Sequence, residues 1–366
     1  MDDLELARRA LLDTPLIVST DIGGDPDDML ALILLTLLEP RLELVITSDE
    51  FADFRRAELA RHLLKLLGRN DVRVVPGQVL GHSRYRAADG LAPSGIGIGA
   101  ADLYQAVAAV CWNPHRTPVR YLGIGPMTDL AHLLTTDATQ RNPLHLNQIL
   151  RVWQMGGALN YRDPRRAEHN FRLDPPAVHE VMARARYVSL VMSDHTFTTA
   201  IDIDAHSPIY RLLVASEADK PWAGLVRLHL DQWFSEFYPA SKMHDPLAMT
   251  AAIGMDCVSF ERRQFHLAPD SRMSPGTDHV AWLSTGADYG RFVNWVLTTL
   301  RDRIPARPPM WTNTLGTLAE MVAGLRQLAE TRSAAGTQPV HPHYTQFKAV
   351  EAQRDRAAPW RRIKDM

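Results

Sequence analysis

Apolar positions along the chain alternate between runs of strand length and segments of helical length. Leu16-Ile17-Val18 is a short unbroken apolar run, which predicts a buried strand. Residues 27–38 follow with a helical length of almost wholly apolar side chains behind an acidic start. Residues 42–47 return to strand length, and residues 52–67 space their apolar side chains three and four apart, as an amphipathic helix does. Further strands are predicted at 72–75, 119–122, 149–153 and 187–191, with a helix starting near Met127. Strands that alternate with helices predict an α/β fold. The sheet is expected to be mostly parallel and flanked by helices, a Rossmann-type open sheet. Such sheets carry their sites beyond the carboxyl ends of strands. Charged clusters in this chain fall just there.

Three stretches break the pattern. Residues 77–99 are rich in Gly, Ser and Ala and read as a long loop; residues 155–167 carry Gly, Asn, Asp and Pro. Residues 304–312 read as a linker, ahead of a helical stretch at 315–331 and a polar tail. The expected organisation is one catalytic domain over 14–303, a short extension at 1–13 and a C-terminal extension at 304–366. With 366 residues and 46% hydrophobic content, the chain can bury a large core. A formal net charge of -2 argues against a nucleic-acid or acidic-membrane partner. The apolar run from Met29 to Leu38 is too short to span a bilayer. The acidic start MDDLELARRALLDTP lacks the basic residues and apolar run of a secretory leader. Cys111 and Cys257 stand far apart without a partner motif and read as buried thiols in a reducing compartment. A soluble cytoplasmic protein is expected.

The segment Ser19-Thr20-Asp21-Ile22-Gly23-Gly24-Asp25-Pro26-Asp27-Asp28 is the richest in chemistry. It sets four carboxylates, Asp21, Asp25, Asp27 and Asp28, directly after a buried strand. Helix capping accounts for one or two of them. Four crowded like charges repel and raise one another's pKa. A hard divalent cation relieves that repulsion, and oxygen-only ligands favour Ca²⁺ or Mg²⁺.

This segment resembles the opening of the inosine-uridine nucleoside hydrolase family, a strand followed by Asp-x-Asp-x-Gly-x-Asp-Asp and a helix. Two residues are added before the Asp pair here, and Ser19 stands in place of the first Asp. Three more stretches resemble family motifs in the family's order. Gly125-Pro126-Met127-Thr128-Asp129 is similar to its Gly-Pro-Leu-Thr-Asn turn, with Asp129 where Asn is usual. Met155-Gly156-Gly157-Ala158, then Ala167-Glu168-His169-Asn170 and Asp174-Pro175, resemble its Met-Gly-Gly-Ala and Ala-Glu-Phe-Asn…Asp-Pro. His244-Asp245-Pro246-Leu247-Ala248 resembles its His-Asp-x-x-Ala.

The resemblance implies calcium-dependent hydrolysis of the N-glycosidic bond of a ribonucleoside. It implies Asp21 as calcium ligand and general base, with Asp28, Asp245 and the Ile124 carbonyl as further ligands and Asp25 as an additional candidate. Asp27 is implied to hold one ribose hydroxyl, and Glu168 and Asn170 the others, with Asn160 a further sugar contact. His244 is implied to protonate the departing base or to orient the group that does. The partner implied is a small nucleoside, and the assembly a homodimer or homotetramer. On residue chemistry alone each of these has a plainer reading: Asp245 as a helix cap, His244 as a core histidine, Glu168 as a solvated charge. Trp233, Phe234, Phe237 and Tyr238 stand close enough to His244 in sequence to stack on a base, although their spacing is equally that of a helix core.

Two departures concern the substrate. The family's Gly-Asn pair after the second strand is replaced by Thr47-Ser48-Asp49-Glu50-Phe51, so Asp49 or Glu50 is expected to take over that sugar contact. Their added charge would favour a cationic base and disfavour a 5′-phosphate. The family's His-Gly loop is matched only by Gly90-Leu91-Ala92-Pro93-Ser94-Gly95, which has no His; His82 and Tyr85 lie upstream of it. These changes predict either a non-standard base preference or a loop that closes differently and delivers His82 or Tyr85 to the same place. The alternatives are a glycosidase of a modified or non-nucleoside ribosyl compound and a catalytically silent calcium-binding relative.

Overall fold

The computed structural model describes residues 11–81, 86–93, 95–96, 102–112 and 118–302. His82, Tyr85, the linker and the C-terminal extension lie outside the described residues. The strands are β1 (Leu16–Thr20), β2 (Leu42–Thr47), β3 (Arg73–Pro76), β4 (Val119–Gly123), β5 (Leu150–Met155), β6 (Val188–Val191), β7 (Asp202–Asp204), β8 (Ala240–Lys242), β9 (Val258–Leu267) and β10 (Met273–Ala287). Eight of them form one sheet in the order β3-β2-β1-β4-β5-β6-β10-β9, while β7 and β8 pair separately. Every pairing from β3 to β10 is parallel; β9 alone runs antiparallel, beside β10. The open parallel sheet predicted from the apolar runs is therefore present.

Burial explains which strands were easy to read. All five residues of β1 and of β4 are buried, as in a parallel sheet covered on both faces. The edge strand β9 alternates buried and exposed positions along much of its length. The helix Asp27–Leu38 is buried at every residue except Leu37, because it packs among the helices His244–Ala252, Arg55–Leu66 and Tyr289–Asp302. Each fully buried Leu or Ile there contributes roughly 1.5–3 kcal/mol relative to exposure. Both cysteines are buried and free. Among the described residues no helix is long and apolar enough to cross a membrane.

The topology fixes where a site can form. The chain runs β1, β2, β3 towards one edge and then returns to place β4 on the other side of β1. The carboxyl ends of β1 and β4 thus flank the switch point at which open α/β sheets bind ligands. At the opposite end of the same strands lies a buried ion pair. Arg120, fully buried in β4, donates to the Glu39 carboxylate at 2.8 Å. It also donates to the carbonyls of Leu12, Thr14 and Ala252 at 2.9, 2.7 and 3.2 Å.

Candidate active site

Asp21 follows the last residue of β1, and Ile124 and Gly125 follow the last residue of β4. The Ile124 amide donates to the Ser19 carbonyl at 2.8 Å, which locks the two strand ends together. Residue 125 must be glycine here, since a Cβ would stand 2.7 Å from Asp21 Oδ1 and 3.0 Å from its backbone nitrogen. Asp27 and Asp28 open the helix Asp27–Leu38 behind Pro26, and Asp245 sits in the first turn of the helix His244–Ala252. Two helices therefore aim their positive ends at the same spot. One carboxylate oxygen from each of Asp27, Asp28 and Asp245 lies within 4.8 Å of the others, and all three residues are buried. Asp27, expected on the sugar, is thus in the tightest carboxylate group.

Neighbouring donors hold the cluster in place. The Thr20 hydroxyl donates to Asp28 Oδ1 at 2.5 Å, and the Asp245 amide donates to Asp27 Oδ2 at 3.3 Å. Ser241, on β8, donates its hydroxyl to Asp25. Burial is the largest cause of a raised pKa at every Asp of the group. It lifts Asp21 to about 6 and Asp25 to about 7, and raises Asp27, Asp28 and Asp245 well above the usual range. Mutual repulsion among the five adds to burial, while the Arg56 charge opposes it at Asp21 and Asp28. Buried oxygen ligands that repel one another are what a hard cation stabilises.

The expected sugar residues Glu168 and Asn170 stand at the carboxyl end of β5, the strand beside β4. Glu168 is buried, and its Oε2 accepts from the amides of Gly157 at 3.1 Å and Phe171 at 3.3 Å. Burial raises its pKa to about 7 against those two hydrogen bonds. The buried Asn170 donates through Nδ2 to the Met155 carbonyl at 3.1 Å. The backbone amide of Asn160 is fixed by Asp194 Oδ1 at 3.1 Å. His244 is half-buried; its Nδ1 lies 2.8 Å from Thr196 Oγ1, and its ring stacks on Phe197 at 5.9 Å and 23°.

Asp49 and Glu50 are both buried and tied into the loop after β2. Glu50 Oε1 accepts the amides of Phe51 at 2.8 Å and Arg56 at 3.0 Å, while Oε2 accepts the Thr47 hydroxyl at 2.6 Å and the Ala57 amide at 2.9 Å. It acts on the start of the helix Arg55–Leu66. Asp49 is buried with its carboxylate 3.7 Å from the guanidinium of Arg56. That guanidinium also donates to the carbonyls of Asp49 and Ile22, each at 2.9 Å, and to that of Asp21. Arg56 offsets the charge of Asp49, while the four partners of Glu50 are neutral donors.

Sequence reading missed Arg56 because an Arg in an amphipathic helix is ordinarily assigned to solvent. It missed His229 for a similar reason. This fully buried ring donates from Nε2 to the Gly24 carbonyl at 3.1 Å and so steadies the carboxylate loop; burial lowers its pKa to about 4, which keeps it neutral. Ser19 and Asp129, the two departures inside otherwise matching motifs, turn out to be linked. Ser19 Oγ lies 3.0 Å from Ser48 Oγ, which donates to Asp129 Oδ2 at 2.7 Å. Trp233 is buried and packs on Phe237 and Tyr238 at 5.2 and 5.4 Å, so its ring belongs to the core.

The open parallel sheet thus carries at its switch point three buried aspartates, Asp27, Asp28 and Asp245, with the half-buried Asp21 and Asp25 beside them, an oxygen-only group of the kind that can hold a cation. The chain belongs to the inosine-uridine preferring nucleoside hydrolase family, whose model matches residues 16–301. Members are N-glycosyl hydrolases acting on small nucleosides. The fold is shared with the inosine-uridine preferring nucleoside hydrolase from Bacillus anthracis, at 17% identity and a TM-score of 0.62 over 80% of this chain and 100% of that one. It is also shared with the purine-preferring ribonucleoside hydrolase from Gardnerella vaginalis, at 17% identity and a TM-score of 0.63 over 79% and 99%. The type III effector protein XopQ, solved with adenosine diphosphate ribose, aligns at 17% identity and a TM-score of 0.58 over 82% and 98%. No curated protein sequence matches the chain.

Proposed function

We propose that this protein hydrolyses the N-glycosidic bond of a ribonucleoside to ribose and free base, with calcium as its resident cofactor. The observation that carries the reading is the convergence of Asp21, Asp25, Asp27, Asp28 and Asp245, from two distant segments, on the ends of β1 and β4. The donors there are all oxygen, which fits a hard cation held by Asp21, Asp28, Asp245 and the Ile124 carbonyl, with Asp25 a further candidate. A bound calcium would supply a Lewis-acid centre that orients the ribose hydroxyls and acidifies a water.

The chain's own residues divide the rest of the work. Asp21 accepts the proton of the attacking water as its oxygen bonds to C1′. The C1′–N bond breaks with its electron pair leaving on the base, which His244 protonates or helps to protonate. Asp27, Glu168 and Asn170 hold ribose hydroxyls, with Asn160 and Asp49 as further sugar contacts. Glu50 was expected to share that role, but its four hydrogen bonds favour support of the loop. The missing His-Gly loop and Gly-Asn pair favour a base other than those of inosine and uridine. A homodimer or homotetramer in the cytoplasm completes the reading.

The test is release of reducing sugar from inosine, uridine, adenosine and cytidine, with calcium and after chelation. Turnover that chelation abolishes and calcium restores is expected. The 2′-deoxy form of the best substrate should react at least ~10³-fold less efficiently, because a buried polar partner is left unpaired. Ribose release that ignores chelation, or that tolerates the deoxy sugar, overturns the reading. Values of kcat/KM above about 10⁴ M⁻¹s⁻¹ on inosine or uridine would refute the unusual base preference. A second reading, hydrolysis of a ribosyl compound other than a simple nucleoside, is favoured by the adenosine diphosphate ribose seen with the similarly folded XopQ.

A further inference from the structure

Phe197 sits beside His244 and carries two cations. Its half-buried ring stacks on the His244 ring at 5.9 Å. The Arg162 guanidinium carbon lies 4.1 Å from the Phe197 centroid, and Lys242 Nζ lies 5.0 Å from it. The two charges differ in how they are matched. Lys242 is paired with Asp202 at 2.6 Å across β7 and β8. Arg162 is exposed, also rests on Tyr161 at 5.2 Å, and makes no ion pair with any described residue.

Its position is nevertheless fixed at the base. Two residues upstream, the amides of Leu159 and Asn160 are both held by the Asp194 carboxylate at 3.1 Å. Stacking on a ring engages a guanidinium through its charge and leaves its N–H donors available to fork a carboxylate. Among the described residues Arg162 touches the Phe197 and Tyr161 rings and no carboxylate, so its donors face solvent. The loop that carries it also carries Gly157 and Asn160, and its seat on Phe197 sets it one ring away from His244.

We propose that Arg162, seated on Phe197 with Lys242 behind it, recognises an anionic group on the leaving base, so that the enzyme's substrates are ribosides whose base bears a carboxylate. This rests on the hydrolase reading and on His244 standing at the leaving-group side. It departs from the cationic-base expectation: Asp49 is paired with Arg56 and Glu50 is taken up by four hydrogen bonds at the start of a helix, while Arg162 makes no ion pair with any described residue.

The experiment compares pyridine ribosides carrying a 3-carboxylate or a 3-carboxamide, two nearly isosteric bases of different charge. The ratio of their kcat/KM values is measured in the wild type, Arg162→Gln and Arg162→Lys. Differences in intrinsic leaving ability cancel between variants. The carboxylate-to-carboxamide ratio should be at least about tenfold higher in the wild type than in Arg162→Gln, the size of one charge-assisted hydrogen bond, with Arg162→Lys between them. A ratio that Arg162→Gln leaves unchanged overturns the proposal. The 5′-phosphate of the carboxamide riboside is a third arm: a gain there that depends on Arg162 would put the anion on the sugar side and also overturn it. Calorimetric titration with the free 3-carboxylate and 3-carboxamide bases needs no turnover. Tighter carboxylate binding that is lost in Arg162→Gln, in a protein that cleaves no riboside, would support the anion site and sink the hydrolase. Equal binding of the two would sink the anion site whatever the turnover.

Discussion

The two ends of β1 and β4 bury charge in opposite ways. At the amino end Arg120 meets one carboxylate and three carbonyls, and the charges cancel within hydrogen-bonding distance. At the carboxyl end five aspartates converge, and Arg56, itself committed to Asp49, offsets only part of their charge. A matched buried pair holds its neighbours in place and asks for nothing further. An unmatched cluster is costly until something of opposite charge joins it. The first arrangement belongs to stability and the second to function, though both lie on the same two strands.

The largest effect that could break this contrast is on turnover. Asp28→Asn keeps an acceptor for the Thr20 hydroxyl but removes a ligand charge. Activity should fall at least ~10³-fold, about 4 kcal/mol of transition-state stabilisation, with loss of bound calcium. The metal-free variant should unfold in urea at the same or a higher concentration than the wild type. If it is strongly destabilised without metal, the cluster is structural and the contrast fails. Next in size is the matched end. Arg120→Met strands the Glu39 carboxylate and three carbonyls, and should lower stability by about 3 kcal/mol. Calcium affinity of the fraction that folds should be unchanged, as read by titration calorimetry. A selective loss of calcium binding would show that the two ends are not independent.

The smallest effect sharpens the comparison through pH. Burial lifts Glu168 to about 7, above its unfolded value, so its contribution to stability is complete below the ordinary glutamate range and is lost as pH rises through 7. Wild-type stability relative to Glu168→Gln should therefore drop by about 3 kcal/mol between pH 4.5 and pH 8. Urea unfolding of both proteins without metal measures this, and other titrating groups cancel in the difference. A flat difference would mean that the Gly157 and Phe171 amides fully offset the burial.

The sheet was legible because its inner strands are buried on both faces, leaving unbroken apolar runs such as Leu16-Ile17-Val18. The antiparallel β9, half solvated, carries no such run and was not resolved from sequence. The aspartates were legible as a local cluster, and Asp245 through its neighbouring His244. Charge compensation was not: Arg56 and His229 come from helices whose pattern assigns polar residues to water. Nor was the fate of Glu50 readable, since an acidic residue after a strand looks the same whether it faces a ligand or caps a helix. Arg162 stood in a loop where only its three-dimensional seat on Phe197 sets it apart from Arg165 and Arg166.

The hydrogen-bonded line from Ser19 through Ser48 to Asp129 has a consequence for the order in which substitutions can accumulate. The motifs that this chain's sequence resembles carry an acid at the first position and an amide at the last, where this chain has a hydroxyl and an acid. Asp129 is buried with its pKa raised to about 6, and the Ser48 hydroxyl already donates to it. Introducing an acid at position 19 while Asp129 remains would set two carboxylates competing for one hydroxyl hydrogen. Neutralising position 129 first leaves Ser48 free to donate the other way. Substitutions at positions 19 and 129 are therefore expected to be non-additive, with the combination of two acids the least stable of the four.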